Sequence, residues 1–292
     1  GAITFGNTLD GSYTLALNTS GATTFTGAVG NSAALTSLTT DAGGTVAING
    51  GVVNTTNEQI YNDVATLGAA TTLTSTGSGA ITFSNTLNGA QTLAVNTSGT
   101  TTFTGAVGSS AALTSLTTDA GGSVAINGGV VNSTGAQIYN DVATLGAATT
   151  LTSTGSGAIT FGNTLDGAYT LTVNTSGITT FTGAVGSNAA LTSLTTDAGG
   201  TLAIRGGVIN TTGAQSYGEA ATLGANTTLT SSGAGDITFG NTLNGAYTLA
   251  VNTSGATTFT GAVGSSAALT SITTDAGGTV VINGGVVNTT NE

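Results

Sequence analysis

The chain has no Cys, His, Pro, Met or Trp, and charged residues make up only 4% of its 292 positions. Each absence excludes something. Without Cys there are no disulfides, no thiolate nucleophile and no Cys-type zinc or iron–sulfur site. Without His or Lys the usual general bases are missing. The absence of Pro suits a backbone in which nearly every N–H is wanted in a ladder. The absence of Met, including at position 1, points to a processed product or a fragment. No apolar run approaches the roughly 18–20 residues of a membrane helix, so no membrane insertion is expected, and no secretion signal is present in this stretch. Nine Asp and three Glu face the single Arg205, for a net charge of −11. That balance offers no basic patch to a nucleic acid or an anionic membrane.

What is abundant is Gly, at 48 residues, with Thr, Ala, Ser, Asn, Leu and Val. Thr, Val and Ile favour strands, and Gly and Asn favour tight turns. These residues are arranged in a repeat. "NTSGATTFTGAV" at 18–29 returns at 96–107, 174–185 and 252–263, each time 78 residues on. The one position that varies is occupied by Ala22, Thr100, Ile178 and Ala256. The units are 1–78, 79–156, 157–234 and a partial 235–292, read as a single segment of a longer array.

A shorter rhythm runs inside each unit. "ITFGNTL", "TTFTGAV", "VAINGGV" and "QIYNDVA" superpose on Phe5, Phe25, Ile48 and Tyr61, with Phe83 next. The mean step is about 20 residues, one coil of a parallel β-helix. This predicts an all-β solenoid of about 15 coils, about four per repeat, forming a rod about 70 Å long at ~4.8 Å per rung. A meander barrel or sandwich also has short strands and turns, but near-identical coils suit stacking of like on like. Corners are expected at "NTSG", "TDAGG", "INGG" and "STGSG". The alternation of "YTLAL" at 13–17 predicts Tyr13, Leu15 and Leu17 on one face. In "ATTF", Phe25 and Thr23 point inward and Ala22 and Thr24 outward. The core candidates are Phe5, Phe25, Phe83, Phe103, Phe161, Phe181, Phe239 and Phe259, stacked in pairs one coil apart.

Few residues can carry chemistry. Asp41, Asp119, Asp197 and Asp275 recur in "TTDAGG" and are weak candidates for metal ligation. One per repeat places the copies about 19 Å apart on one side, too far to share an ion. Asp10 and Asp166 alternate with Asn88 and Asn244, so turn formation, not charge, is the common property. Asp63 and Asp141 also fall at corners. A glycosidase would need two carboxylates roughly 5–10 Å apart, and no pair is evident. The reading is therefore not an enzyme, with no catalytic residue and no cofactor. Arg205 stands where the other repeats have Asn and is read as a surface variant, with an ion pair to Glu219 in reach. Nine N-x-S/T sequons, at Asn18, Asn54, Asn96, Asn132, Asn174, Asn210, Asn226, Asn252 and Asn288, are possible glycosylation sites, with a corner or stacked amide ladder as the structural alternative. Rows of Thr raise ice binding, by analogy of fold alone.

The stretch "GAITFGNTLDGAYTLTVNTSGITTFTGAVGSNAALTSLTT" (157–196) resembles the repeat regions of filamentous-haemagglutinin-type bacterial exoproteins, many exported by two-partner or autotransporter routes. The resemblance covers the whole chain and rests on phrasing and repeat length. It implies a right-handed parallel β-helix, an extracellular or cell-surface location and an adhesive or scaffolding role. The expected partners are other copies, continuing repeats at the open ends, and host or cell-surface glycans or proteins.

Overall fold

The computed structural model describes residues 1–291 and contains strands, turns and bends without a helix among them. The chain is a parallel β-solenoid of about 13 turns, consistent with the right-handed β-helix expected. It divides into two compact units, Gly1–Ala147 and residues 148 onward. Each has three parallel sheets wrapped around its own interior.

In the first unit, one sheet runs Ile3–Phe5, Ala22–Phe25, Thr45–Ile48, Val64–Leu67 and Leu87–Asn88. A second contains Thr14–Leu17, Ser37–Thr40, Gln59–Tyr61, Ile81–Phe83, Thr100–Phe103, Ser123–Ile126 and Val142–Leu145. The third contains Val52–Thr55, Thr71–Ser75, Thr92–Thr97, Ser115–Thr118 and Gln137–Tyr139. Partners along the first face are 20, 23, 19 and 22 residues apart.

Two expectations about register are corrected here. The strand holding Tyr61 is not stacked on that of Ile48. Ile48 pairs with Leu67, whereas Tyr61 lies between Thr40 and Phe83 on another face. The apparent 13-residue step was a step around the coil, not up it. As a result the repeat is not four coils. Ile3–Phe5 opens one sheet, and its equivalent 78 residues later, Ile81–Phe83, lies in the next. The second unit repeats the offset, with Ile159–Phe161 and Ile237–Phe239 in different sheets. Eleven strand positions per repeat, counting the Val107 bridge, are shared among three faces. The repeat is thus three and two-thirds coils, of about 21 residues each, which is why the turns number fewer than 15.

Alternation decides what is buried. In Thr71–Ser75 the pattern is strictly in and out, with Thr71, Leu73 and Ser75 inside. Phe25 and Thr23 are buried, Thr24 is half-buried and Ala22 exposed, as the sequence predicts. Tyr13 departs from its expected face and is 81% exposed. It precedes the strand Thr14–Leu17, and its N–H donates to the Gly11 carbonyl at 2.8 Å, a tight bend that throws the ring outward.

The interior aromatics form columns. Ring centroids are 5.4 Å apart for Phe5–Phe25, 5.8 Å for Phe83–Phe103, 5.7 Å for Phe161–Phe181 and 5.5 Å for Phe239–Phe259. Tyr61 and Tyr217 add a third ring beneath Phe83 and Phe239, at 4.9 and 5.0 Å. Such pairs each contribute about 0.5–1.5 kcal/mol beyond the area they bury.

Corners are set by backbone geometry. Gly30 has φ 66°, and a Cβ there would lie 2.2 Å from the Asn54 carbonyl oxygen of the next coil. "TDAGG" and "INGG" turn at Gly43 and Gly51 with positive φ, but "NTSG" does not. There the Thr19 hydroxyl accepts from the Gly21 N–H at 3.0 Å and closes the bend. The "STGSG" corner places Ser78, Ser156 and Ala234 at φ 65°, 62° and 64°. A side chain in that region costs roughly 1–2 kcal/mol, part of which glycine would recover. Ala234→Gly is therefore expected to raise stability by up to about 1 kcal/mol, seen as a higher denaturant midpoint at unchanged m-value. A lower midpoint would contradict this account of the corner.

Candidate functional site

The polar groups most withdrawn from solvent lie at one recurring corner, where the chain leaves "TTD" and, one rung higher, "QIYND". In the first repeat Asp63 is 1% exposed. Its Oδ1 accepts from the Gly44 N–H at 2.8 Å, and its Oδ2 is buried without a partner. Thr40 Oγ1 accepts from the Asn62 and Asp63 N–H groups at 3.1 and 3.4 Å. Asn62 Nδ2 donates to the Thr40 carbonyl at 2.7 Å. Asp41, one rung below, is half-buried and accepts from the Thr19 N–H at 2.9 Å. The second repeat repeats these contacts. Gly122 N–H donates to Asp141 at 2.8 Å, Asn140 Nδ2 to the Thr118 carbonyl at 2.9 Å, and Thr97 N–H to Asp119 at 2.9 Å.

The third repeat carries Glu219 in place of Asp. The extra methylene brings Oε1 within 3.3 Å of the Thr179 hydroxyl, 40 residues back along the chain. The equivalent hydroxyls of Thr23 and Thr101 are buried without a partner, because an Asp is one methylene too short to reach them. Glu219 is fully buried, and Glu219 Oε2 and Asp197 Oδ1 both lack partners. Burial pushes the Glu219 carboxyl up to about 7, with the Asp197 charge adding to the rise and the Thr196 and Thr179 hydroxyls opposing it. Asp141 is also raised, first by burial and then by Asp119, against its hydrogen bonds to the Gly122 N–H and Thr118.

Two carboxyls therefore meet on neighbouring rungs in each full repeat, a pairing not evident in the sequence. One member of each pair is turned into the interior, so the two do not line an open groove. The four "TTDAGG" acids do not share one side of the molecule. Asp41 follows a strand of the second face and Asp119 one of the third, and Asp197 and Asp275 are divided in the same way. Among the described residues no group of three or more His, Cys, Asp or Glu is close enough to hold a metal.

Asp10, Asn88, Asp166 and Asn244 sit in identical settings. Oδ1 of each accepts two N–H groups of the next coil: Ser32 and Ala33 at 2.8 and 3.2 Å for Asp10, Ser110 and Ala111 at 2.9 and 3.2 Å for Asn88. Asp166 receives Asn188 and Ala189 at 2.8 and 3.1 Å, and Asn244 receives Ser266 and Ala267 at 2.9 and 3.2 Å. An oxygen acceptor is what the corner uses, and charge is incidental.

Of the sequon residues, Asn54, Asn132, Asn210 and Asn288 each donate Nδ2 to a Gly carbonyl of the coil below, at 3.2–3.4 Å. They lie on strands or next to bridges, not at corners, and no continuous amide ladder forms. Asn54 is followed by Thr74 before Asn96, and Asn210 by Thr230 before Asn252. Asn96, Asn174 and Asn252 are half-buried, Asn18 and Asn226 exposed, and Asn226 Oδ1 accepts from the Thr248 N–H at 3.1 Å. Arg205 does not meet Glu219. The register Thr201↔Ala220 and Ile204↔Leu223 puts them at opposite ends of paired strands.

One cluster escaped sequence reasoning. Gln59 and Tyr61 are both buried in the core, with Tyr61 Oη donating to Gln59 Oε1 at 2.9 Å. Gln59 Nε2 donates to the Val53 and Thr74 carbonyls at 3.1 and 3.0 Å and to Thr55 Oγ1 at 3.3 Å. Gln137–Tyr139 and Gln215–Tyr217 repeat the hydrogen bond at 3.0 and 2.8 Å. The recurrent Q-x-Y, with same-face spacing of two, was the available signal.

No family model, curated protein or solved structure matches the chain.

The buried acids give a pH dependence with a definite sign. Glu219 ionises near its ordinary value when unfolded but only at about 7 when folded. Its contribution to stability is complete below the unfolded value and is lost as pH rises through about 7. Thermal melts of wild type and Glu219→Gln are expected to converge at pH 4 and separate by pH 8, with the variant more stable there. Parallel curves would refute a buried, raised carboxyl.

Proposed function

We propose that the chain is an extracellular structural and adhesive solenoid, a stiff stalk or fibre on or outside a bacterial cell, serving adhesion, biofilm or a surface matrix. The observation that carries the reading is the three-and-two-thirds-coil repeat. Equivalent positions move to a new face with each repeat, so a repeated surface feature is distributed around the coil rather than aligned. That suits an element whose task is length and stiffness. It suits ice binding poorly, because the outward ladder Thr4, Thr24, Ala47, Thr66, Asn88 is broken by Ala47 and Asn88. The low charge, the filled interior and the resemblance to bacterial exoprotein repeats support the same reading. Burial of one acid in each corner pair weighs against glycoside hydrolysis, which needs both carboxyls at the substrate.

A second reading, a subunit of a self-assembling filament, is favoured by one patch. Val280, Val281, Ile282, Val286 and Val287 are 39–53% exposed, and the strand Thr279–Ile282 has a partner on one side only. An open apolar rung of this kind accepts another strand, from a continuing repeat or from a second copy. Negative-stain electron microscopy of the 292-residue chain separates the readings. Single particles at all concentrations are expected of a lone stalk segment. End-to-end filaments abolished by Val280→Asp with Ile282→Asp would establish self-assembly, and globular aggregates without rods would sink both.

A further inference from the structure

The third repeat departs from the others at several outward positions that the fold brings together. Ile178 stands where other repeats have Ala or Thr, and Arg205 where they have Asn. Ile178 pairs with Thr201 at one end of adjacent strands, and Arg205 follows Ile204 at the other end. Between them lie Thr180 and Ala203, which are only 6% and 8% exposed. Their equivalents Thr24, Ala47, Thr102 and Ala125 are half-buried. The two larger side chains therefore form walls over a small-residue floor. The result is a groove of about 410 Å³ lined by Ile178, Thr201, Ala203, Arg205, Thr222 and Gly224. Gly224 is needed for this shape. A Cβ there would lie 2.8 Å from Arg205 Cγ, so the bare glycine lets the aliphatic stem rest on the sheet.

We propose that this groove is a binding site for a sugar residue bearing a carboxylate. The guanidinium is the only basic side chain in the protein, it is exposed, and no ion pair engages it among the described residues. It presents a planar fork suited to one carboxylate. Thr201 and Thr222 are exposed and offer hydroxyls, and Ile178 offers an apolar edge for the C–H face of a ring. A volume of this size accommodates a small ligand rather than a protein surface. A second copy of the chain is disfavoured by a charge of −11 on each partner. The proposal gives the adhesive reading a site and a ligand class. It does not require the stalk, since any solenoid with these residues would have the groove.

The test follows backbone amide resonances of the full chain during titration with galacturonic acid and, separately, galactose. Galacturonate is expected to shift the amides of Ile178, Thr201, Ala203 and Thr222 saturably, to bind more weakly in added salt, and to bind at least about tenfold more tightly than galactose. Arg205→Asn, which restores the residue at positions 49, 127 and 283, is expected to melt like wild type and lose that preference. Ile178→Ala is expected to weaken binding while keeping the preference. Equal response to the two sugars, no response in these amides, or unchanged galacturonate binding by Arg205→Asn would overturn the proposal. So would shifts at the same amides on raising protein concentration alone, which would identify a second copy as the occupant. Filaments with no sugar response would leave the structural reading standing and remove this one.

Discussion

The rung-to-rung backbone hydrogen bond is the interaction on which everything else rests. Each strand is only two to six residues long and would not persist alone. It holds because the coil above and the coil below present matching N–H and C=O groups at every step. Corners must then reverse the chain without breaking the stack. Hence the glycines that allow backbone to approach backbone, the Thr hydroxyls that close bends, and the Asp or Asn oxygens that take two N–H groups of the next coil. The scarcity of charge follows from the same constraint. Outward positions are spaced one rung apart, and rows of like charge would repel at that distance.

The interior shows the same economy. Phenyl rings stack because a parallel in-register ladder puts identical positions one above another. Where the column begins, a Tyr replaces Phe, and its hydroxyl is answered by a Gln two residues earlier on the same strand. The acid corner is the exception, since carboxyl oxygens are buried there without full hydrogen bonding. Buried unsatisfied polar atoms cost roughly 1–3 kcal/mol each, and at Glu219 the cost is relieved by holding a proton near neutral pH.

Much of this was legible in the sequence. The all-β parallel class, the strand alternation in "ATTF", the stacked Phe pairs and the Asp/Asn equivalence at position 10 all follow from local patterns of period two and from turn chemistry. Register was not legible. Phe5, Phe25, Ile48 and Tyr61 look like one column because each ends an apolar-Thr triplet. Whether two triplets stack or stand side by side depends on how many residues the intervening corner consumes. "NGGVVNTTNE" contains a further strand and two corners, and only the folded chain reveals it. From that followed the pairing of Asp119 with Asp141, the separation of Arg205 from Glu219, and the meeting of Ile178 with Arg205. Tyr13 was missed for a different reason, a single tight bend at Gly11 that ends the alternation one residue early.

The central claim is that a 78-residue repeat spans three and two-thirds coils, so that Ile60 stacks on Thr82 and not on Ala47. Because the protein has no cysteine, this is tested by engineered disulfides at outward positions. Parallel partners one rung apart, roughly 4.8 Å, fall within the reach of a disulfide. Ile60→Cys with Thr82→Cys is predicted to crosslink under mild oxidation without loss of β signal, and Ala47→Cys with Ile60→Cys is predicted not to. Efficient crosslinking of the second pair, with failure of the first, would contradict the account.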